Sequence, residues 1–341
     1  KTFADVVGFM NVGMCVIGDR LGLFKDLAKN GPATSSELAA RLGIVERYTR
    51  EWLSQMACAE YLLYDPTNQR FSLPASHAPI LAEEGSPEFL GGIYQNFQCI
   101  DAGIFSKLIR SFREGGGIAY SEYNADYWDG LDRYTTSGLK RNLVQKYIPA
   151  MPEVLAALER GALVADVGCG RGGMLLMLAE AFPHSRFIGY DAFEANIIQA
   201  QANAQSAGVT ERLNYVHLNA THGLPQKYDV ILCFDSLHHS TDVPDFMHTI
   251  HEALNPGGIF VCSEASCAET LEGNIGPGGA MLFASSVFVC VPQVLSESDE
   301  AFGLAGITFS KMRQLAATAG FDEPRLVPLE NSGNNIYEIK R

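Results

Sequence analysis

From residue 161 to the C-terminus, short apolar runs alternate with stretches of helical periodicity. ALVADVGCG (162–170), RFIGYD (186–191), LNYVHLNA (213–220), YDVILCFDSLHH (228–239) and GGIFVCSEA (257–265) read as strands. MLLMLAEAFP (174–183), AFEANIIQAQANAQSAG (192–208) and DFMHTIHEAL (245–254) read as the helices between them. A helix over FSKMRQLAATAGF (309–321) and a strand over NNIYEIKR (334–341) follow. Near-continuous Val, Ile and Leu in runs separated by helices predict an α/β fold with a parallel sheet covered on both faces.

The N-terminal part is patterned differently. Ser35 is a predicted helix N-cap, Leu38, Ala39 and Leu42 recur at helical spacing, and Gly43 closes the helix. A second helix is expected to carry Tyr48, Trp52, Leu53 and Met56 on one face, and extended runs flanking DPTNQ (65–69) predict a hairpin. Two helices followed by such a hairpin resemble a winged helix. Residues 1–28 read as an amphipathic helix seeking a partner, expected to be another subunit. Residues 80–160 look helical and rich in glycine and tyrosine; Gly115, Gly116 and Gly117 must form a loop, since each glycine costs a helix about 1 kcal/mol. Three regions are therefore expected: 1–80, 81–160 and 161–341.

Composition narrows the functional classes. The 341 residues are 47% hydrophobic and 19% charged, as in a folded chain, and the formal net charge is −14. Acidity argues against nucleic acid as a partner, and the second helix mixes Arg47 and Arg50 with Glu46, Glu51 and Glu60 instead of presenting a basic face. The eight cysteines form no Cys-x-x-Cys pair. Cys233, Cys262 and Cys290 lie in apolar runs, so they read as reduced, structural thiols in a cytoplasmic protein. Asp5, Asp19 and Arg20 interrupt the opening stretch too often for a membrane span of about 20 apolar residues, and no basic flank precedes it as in a signal peptide.

Chemistry concentrates at strand ends. DVGCGRGG (166–173) follows the first strand and opens a helix, with Gly168, Gly170 and Gly172 permitting a tight turn and close approach to an adenosine-containing ligand. Asp166, two residues before the first glycine, makes the spacing resemble motif I of class I S-adenosylmethionine-dependent methyltransferases. A nicotinamide site must hold a pyrophosphate at the helix N-terminus; a sulfonium cation instead tolerates acids around the loop. Asp191, at the end of the second strand, stands where an acid accepts from ribose hydroxyls. Asn219 stands where this family commonly has an Asp facing the adenine amino group, and its amide oxygen is able to accept in the same way. LNPGG (254–258), a Pro-Gly turn before the fifth strand, is a further family hallmark.

The resemblance covers about the last 180 residues and implies a Rossmann-like sheet, mostly parallel with an antiparallel last strand, behind a mainly helical winged-helix domain used for dimerisation. It implies S-adenosylmethionine as cofactor, held by Asp166, Gly168, Cys169, Gly170, Asp191, Ala192, Asn219, Ala220, Phe234 and Asp235. The architecture is similar to dimeric small-molecule O-methyltransferases of secondary metabolism, and to bacterial methyltransferases labelled as regulators, whose C-terminal part carries a stretch like GPGGAMLFASSVFVCVPQ (276–293).

Three readings meet at LHHSTD (237–242). In the first group a Leu-His-Asp-Trp-Ser-Asp run supplies the base that deprotonates the acceptor hydroxyl, and His238 falls on that base. His239 then shapes the wall of the acceptor site, with Tyr120, Tyr123 and Phe283. In the second reading the pair only shapes the pocket. A metal needs three or four convergent ligands, and the helix bearing His248 and His251 leads away, so no metal is expected. The expected activity is methylation of a small aromatic or polyketide-like hydroxyl by a homodimer without membrane attachment. The rivals are a methyltransferase-like protein with a non-methylating reaction and a transcription regulator responsive to S-adenosylmethionine.

Overall fold

The computed structural model describes residues 1–98, 100–330 and 333–341. Contacts divide them into two units, Lys1–Asp101 with Asn124–Arg141, and Ala102–Tyr123 with Asn142–Arg341. The glycine and tyrosine-rich stretch therefore contributes to both.

In the first unit, helix Ser35–Leu42 is capped by Thr34, not Ser35. The Thr34 hydroxyl accepts from Glu37 N while the Glu37 side chain accepts from Thr34 N, a reciprocal cap that needs Glu three residues on. Gly43, in the left-handed region, ends the helix as expected. Helix Glu46–Cys58 buries Thr49, Trp52, Leu53 and Met56, whereas Tyr48 is 79% exposed. The buried stripe is thus rotated by one residue from the sequence reading, with the Thr49 hydroxyl donating to the Val45 carbonyl. Strands β1 (Leu63–Asp65) and β2 (Arg70–Ser72) form the expected antiparallel hairpin.

Helix Thr2–Arg20 leads into helix Leu23–Asn30. Its C-terminal end is fixed by Trp52, which donates to the Met14 carbonyl, and by Arg133, which grips Asp19 at 2.9 Å. Phe3, Val6, Phe9 and Met10 stand exposed. By length and composition alone, Thr2–Arg20 and Pro277–Leu295 are apolar enough to cross a membrane; the first carries these acidic and basic anchors, and the second is broken by a π turn at Ser286–Cys290.

The second unit is built on a seven-stranded sheet. Strands β3 (Leu163–Val167), β4 (Arg186–Asp191), β5 (Leu213–His217), β6 (Tyr228–Phe234), β7 (Leu254–Ala265), β8 (Arg325–Leu326) and β9 (Asn334–Lys340) lie in the order β5-β4-β3-β6-β7-β9-β8. The first five pair in parallel; β9 runs antiparallel to both β7 and β8. The expected Pro-Gly turn is absorbed into the start of β7, where the register with β6 shifts and Gly257 takes a positive φ. Val167, Ile231, Cys233, Phe260 and Cys262 are buried among Phe246, Met247 and Ile250 of helix Val243–Ala253 and Met312 and Leu315 of helix Phe309–Ala319. The chain order reverses between β3 and β6, which opens a crevice at the carboxyl ends of these strands.

Candidate active site

The glycine loop leaves β3 and is clamped from both sides. Gly168 N and Cys169 N donate to the Tyr190 carbonyl at 2.8 and 3.0 Å. A Cβ on Gly168 would lie 2.0 Å from Ser236 Oγ, and φ there is +76°, so only glycine lets the loop approach the end of β6. Asp191 fastens the next turn: Oδ2 accepts from Gly170 N at 2.9 Å, and Oδ1 accepts from Phe193 N at 2.8 Å and Asn196 Nδ2 at 3.3 Å. Burial raises its carboxyl above the usual range, and those hydrogen bonds pull it back. Asp166 is buried in β3, and its Oδ1 has no hydrogen-bond partner among the described residues. Burial, then the Asp191 charge, hold that carboxyl well above its ordinary value.

Cys169 is buried against the loop, and Ala192 offers its carbonyl 3.0 Å from His217 Nε2. Asn219 caps a short turn, its amide oxygen accepting from Thr221 N and Oγ1 at 3.1 and 2.7 Å. An adenine amino group would have to displace one of those bonds, because the oxygen has two lone pairs. Ala220 is buried beside it, and Phe234 is half-buried at the end of β6.

Asp235 follows with φ +51°, a left-handed conformation uncommon outside glycine. Its backbone N–H donates to the Ser263 carbonyl at 2.8 Å, and Oδ1 accepts from Asn334 Nδ2 at 2.6 Å. The residue is open to water, yet the protein mass around it, then the Glu264 charge, push its carboxyl up to about 6.

The turn Leu237–His239 buries His238 completely. Glu264, one residue past the register partner of Phe234, holds it with both oxygens: Oε2 lies 2.6 Å from Nδ1, and Oε1 accepts from the backbone N at 3.3 Å. A carboxylate only accepts, so Nδ1 carries the hydrogen and a neutral ring presents its lone pair at Nε2. Nε2 is buried without a hydrogen-bond partner among the described residues. Burial is the largest influence and would depress the imidazole, but the Glu264 charge and hydrogen bond together with the neighbouring Cys290 thiol outweigh it and hold His238 well above its usual value. His239 responds oppositely: burial, then the His238 charge, bring it down to about 3. Its Nδ1 lies 2.7 Å from Gln293 Oε1.

The structure brings Tyr120 beside the two histidines. The Tyr120 ring is 5.7 Å from that of His239 and stacks over Phe193 at 6.4 Å. Tyr123 is 4% exposed and donates its hydroxyl to the Phe288 carbonyl at 2.6 Å, in the π turn that also carries Cys290. Phe283 stands 41% exposed on helix Pro277–Ser285. Sequence reasoning missed Glu264, Gln293 and Asn334. Glu264 alone had a legible signal, an acid at the end of a buried strand in step with Asp235.

Asp166, Asp191 and Asp235 crowd the strand ends at the glycine loop. Burial and then a neighbouring charge, that of Asp191 on Asp166 and that of Glu264 on Asp235, raise their carboxyls, and a cationic ligand relieves this crowding where a pyrophosphate would add to it. The buried, unpaired oxygen of Asp166 is the kind of group that such a ligand satisfies.

Comparison with known proteins bears on the two domains and on the fold. Residues 165–260 match the family described as Methyltransferase domain, and residues 10–83 match the Rv2258c-like winged HTH domain. The ubiquinone biosynthesis O-methyltransferase of Roseobacter denitrificans is 32% identical over 108 residues, 30% of this chain and 41% of that protein. The chain thus spans less than half the length of that curated relative. A putative O-methyltransferase from Nostoc punctiforme superposes with a TM-score of 0.75 at 19% identity, covering 100% of this chain and 98% of that one. Human N-acetylserotonin methyltransferase in complex with S-adenosylmethionine gives 0.74 at 16% identity, covering 98% and 94%. At such identities the likeness is one of fold. Residues 165–260 thus carry a methyltransferase domain on the class I methyltransferase fold, and residues 10–83 a winged helix-turn-helix domain.

Proposed function

We propose that the protein methylates a hydroxyl group on a small aromatic or polyketide-like molecule, with His238 taking the proton. The observation that carries this reading is the buried pair in which Glu264 fixes Nδ1 of His238 and leaves Nε2 without a partner. S-adenosylmethionine supplies an electrophilic methyl group. The Gly168–Gly170 turn, Asp191 and Asp166 are the residues to hold it, with Asp235 adding negative charge. The relatives are named for ubiquinone biosynthesis and for N-acetylserotonin, both small molecules, which supports a small acceptor here.

Displacement at a methyl carbon needs nucleophile, carbon and leaving group in line, so most of the acceleration comes from positioning. His238 adds proton removal, commonly worth about 100-fold or more. Glu264 balances the imidazolium that results. Tyr120, beside His239, offers an aromatic face to the acceptor.

The winged helix is proposed to serve assembly into a homodimer. Arg47 and Arg50 of helix Glu46–Cys58 pair with Glu51 and Glu46 one turn away, which leaves little positive field for DNA. A reducing, cytoplasmic setting belongs to the same proposal; the seven described cysteines are free thiols.

The test is turnover with a panel of phenols, reading S-adenosylhomocysteine release and methyl ether by mass. His238→Ala is expected to keep affinity for S-adenosylmethionine and lose turnover about 100-fold or more. Full turnover in that variant removes the base assignment. Conversion of an acceptor without S-adenosylhomocysteine release removes the methylation reading.

A further inference from the structure

Three soft or borderline donors converge beside the turn Leu237–His239. One ligand atom each from His238, His239 and Cys290 lies within 4.8 Å of the others. Sequence spacing argued against a metal because the helix bearing His248 and His251 leads away. The third donor comes instead from the π turn Ser286–Cys290, an irregularity of the kind that often marks functional positions.

The outer contacts of the two imidazoles match what a metal requires. Ligating histidines almost always give their second ring N–H to a carboxylate or carbonyl, which fixes the tautomer and aims the other nitrogen's lone pair inward. Here Nδ1 of His238 meets Glu264 at 2.6 Å and Nδ1 of His239 meets the Gln293 amide oxygen at 2.7 Å. Both Nε2 atoms are thereby left to point elsewhere, and that of His238 is buried without a partner among the described residues. Gln293 lies in helix Val291–Leu295, directly after Cys290, so one element supplies both the thiol and the support of His239.

We propose that Nε2 of His238, Nε2 of His239 and Sγ of Cys290 form a binding site for a divalent ion of the zinc class. Two imidazoles and a thiolate suit zinc or cobalt, whereas magnesium and calcium require oxygen ligands and the three donors are two nitrogens and a sulfur. Tetrahedral bonds of about 2.0–2.3 Å place ligands roughly 3.3–3.8 Å apart, so the donors close in by about an ångström. Charge balances without solvent: a dication meets one thiolate and the Glu264 carboxylate, and the thiol proton leaves to water on binding.

The ion and the proton compete for the same lone pair. Metal-loaded protein therefore cannot use His238 as a base, and zinc is expected to stop methyl transfer reversibly. This second half rests on the proton-acceptor reading above; the binding half does not.

The test uses the full chain, treated with chelator and then titrated with Co2+ and Zn2+. One Co2+ per chain is expected, with a thiolate-to-cobalt charge-transfer band in the near ultraviolet. Cys290→Ser is expected to abolish the band and weaken Zn2+ at least tenfold, while melting at the wild-type temperature without metal. Among the described residues Cys58 is exposed and Cys267 partly exposed, so these are competing thiols, and a band that survives in Cys290→Ser overturns the proposal. So does the absence of saturable binding in the wild type. If Cys290→Ser does not fold, His239→Gln replaces it: a tenfold loss of Zn2+ affinity supports the site and unchanged affinity overturns it. Binding that leaves methyl transfer untouched keeps the site and overturns the base role of His238, so the two failures are told apart.

Discussion

Because both oxygens of Glu264 face His238, an amide at position 264 retains an acceptor for Nδ1 and removes the charge. That charge is the largest of the influences that hold His238 above its ordinary value against burial, and Cys290 adds to it. Glu264→Gln should therefore let burial win and move the acid limb of kcat/KM down by about one pH unit or more. The pair also links to stability with a definite sign. With the folded value raised above about 6.5, its contribution is fully present below that pH and fades as pH rises through the folded value. Urea titrations at neutral and alkaline pH should show wild type losing stability relative to Glu264→Gln as pH rises; parallel curves would leave the pair without a charged form. At this scale the sequence was partly legible. Asp191 and His238 stood at strand ends where parallel sheets place ligands, whereas Glu264, though legible as an acid at the end of a buried strand, is joined to His238 only through the pairing of β6 with β7, which lies outside any local pattern. Asn219 shows what a local pattern omits: a hydroxyl two residues on donates to the amide oxygen that was expected to face the adenine.

Local periodicity located the helices and strands because each buries a regular stripe, and it missed the elements whose form depends on a distant neighbour. The glycine run at residues 115–117 illustrates the difference. Its composition marked a loop, but its third glycine serves a tertiary contact: a Cβ there would lie 1.9 Å from the Pro292 carbonyl oxygen, and Ile118 N donates to that oxygen at 2.8 Å. The loop thus rests on the helix that carries Gln293, and through it on His239. Gly117→Ala should cost about 1–3 kcal/mol by overpacking, and it should lower turnover by shifting Gln293. Gly115 has open space around a Cβ and φ +80°, so Gly115→Ala should cost only about 1–2 kcal/mol of backbone strain and leave turnover unchanged. Urea midpoints and turnover of the two variants separate the mechanisms; equal turnover in both would show that the contact with Pro292 does not position the site.

For the whole molecule the question is what covers helix Thr2–Arg20. Phe3, Met10 and Ile17 recur at a spacing of seven, with Val6 and Phe9 beside them, and all five are more than 40% exposed. Single exposed apolar residues are ordinary, but a stripe along a helix is not. The helix is not loose, since Asp19 and Arg20 tie its end to Arg133 and Asp126 within the same unit. The proposed homodimer supplies one occupant, a second copy of the chain. Like stripes cover one another around a twofold axis, and each large side chain fully buried contributes about 1.5–3 kcal/mol, enough over ten side chains to offset the entropy of association. The net charge of −14 opposes this only weakly, because exposed charges beyond about 8 Å are screened at physiological salt. Wild-type protein should therefore scatter light as a dimer at micromolar concentration. Met10→Asp puts a carboxylate in the middle of the stripe and should yield monomers with the same circular dichroism, because residue 10 is 61% exposed and lies outside the core of its own chain. A dimer that persists in Met10→Asp would place the interface on another surface, and a monomeric wild type would leave the stripe to a different partner.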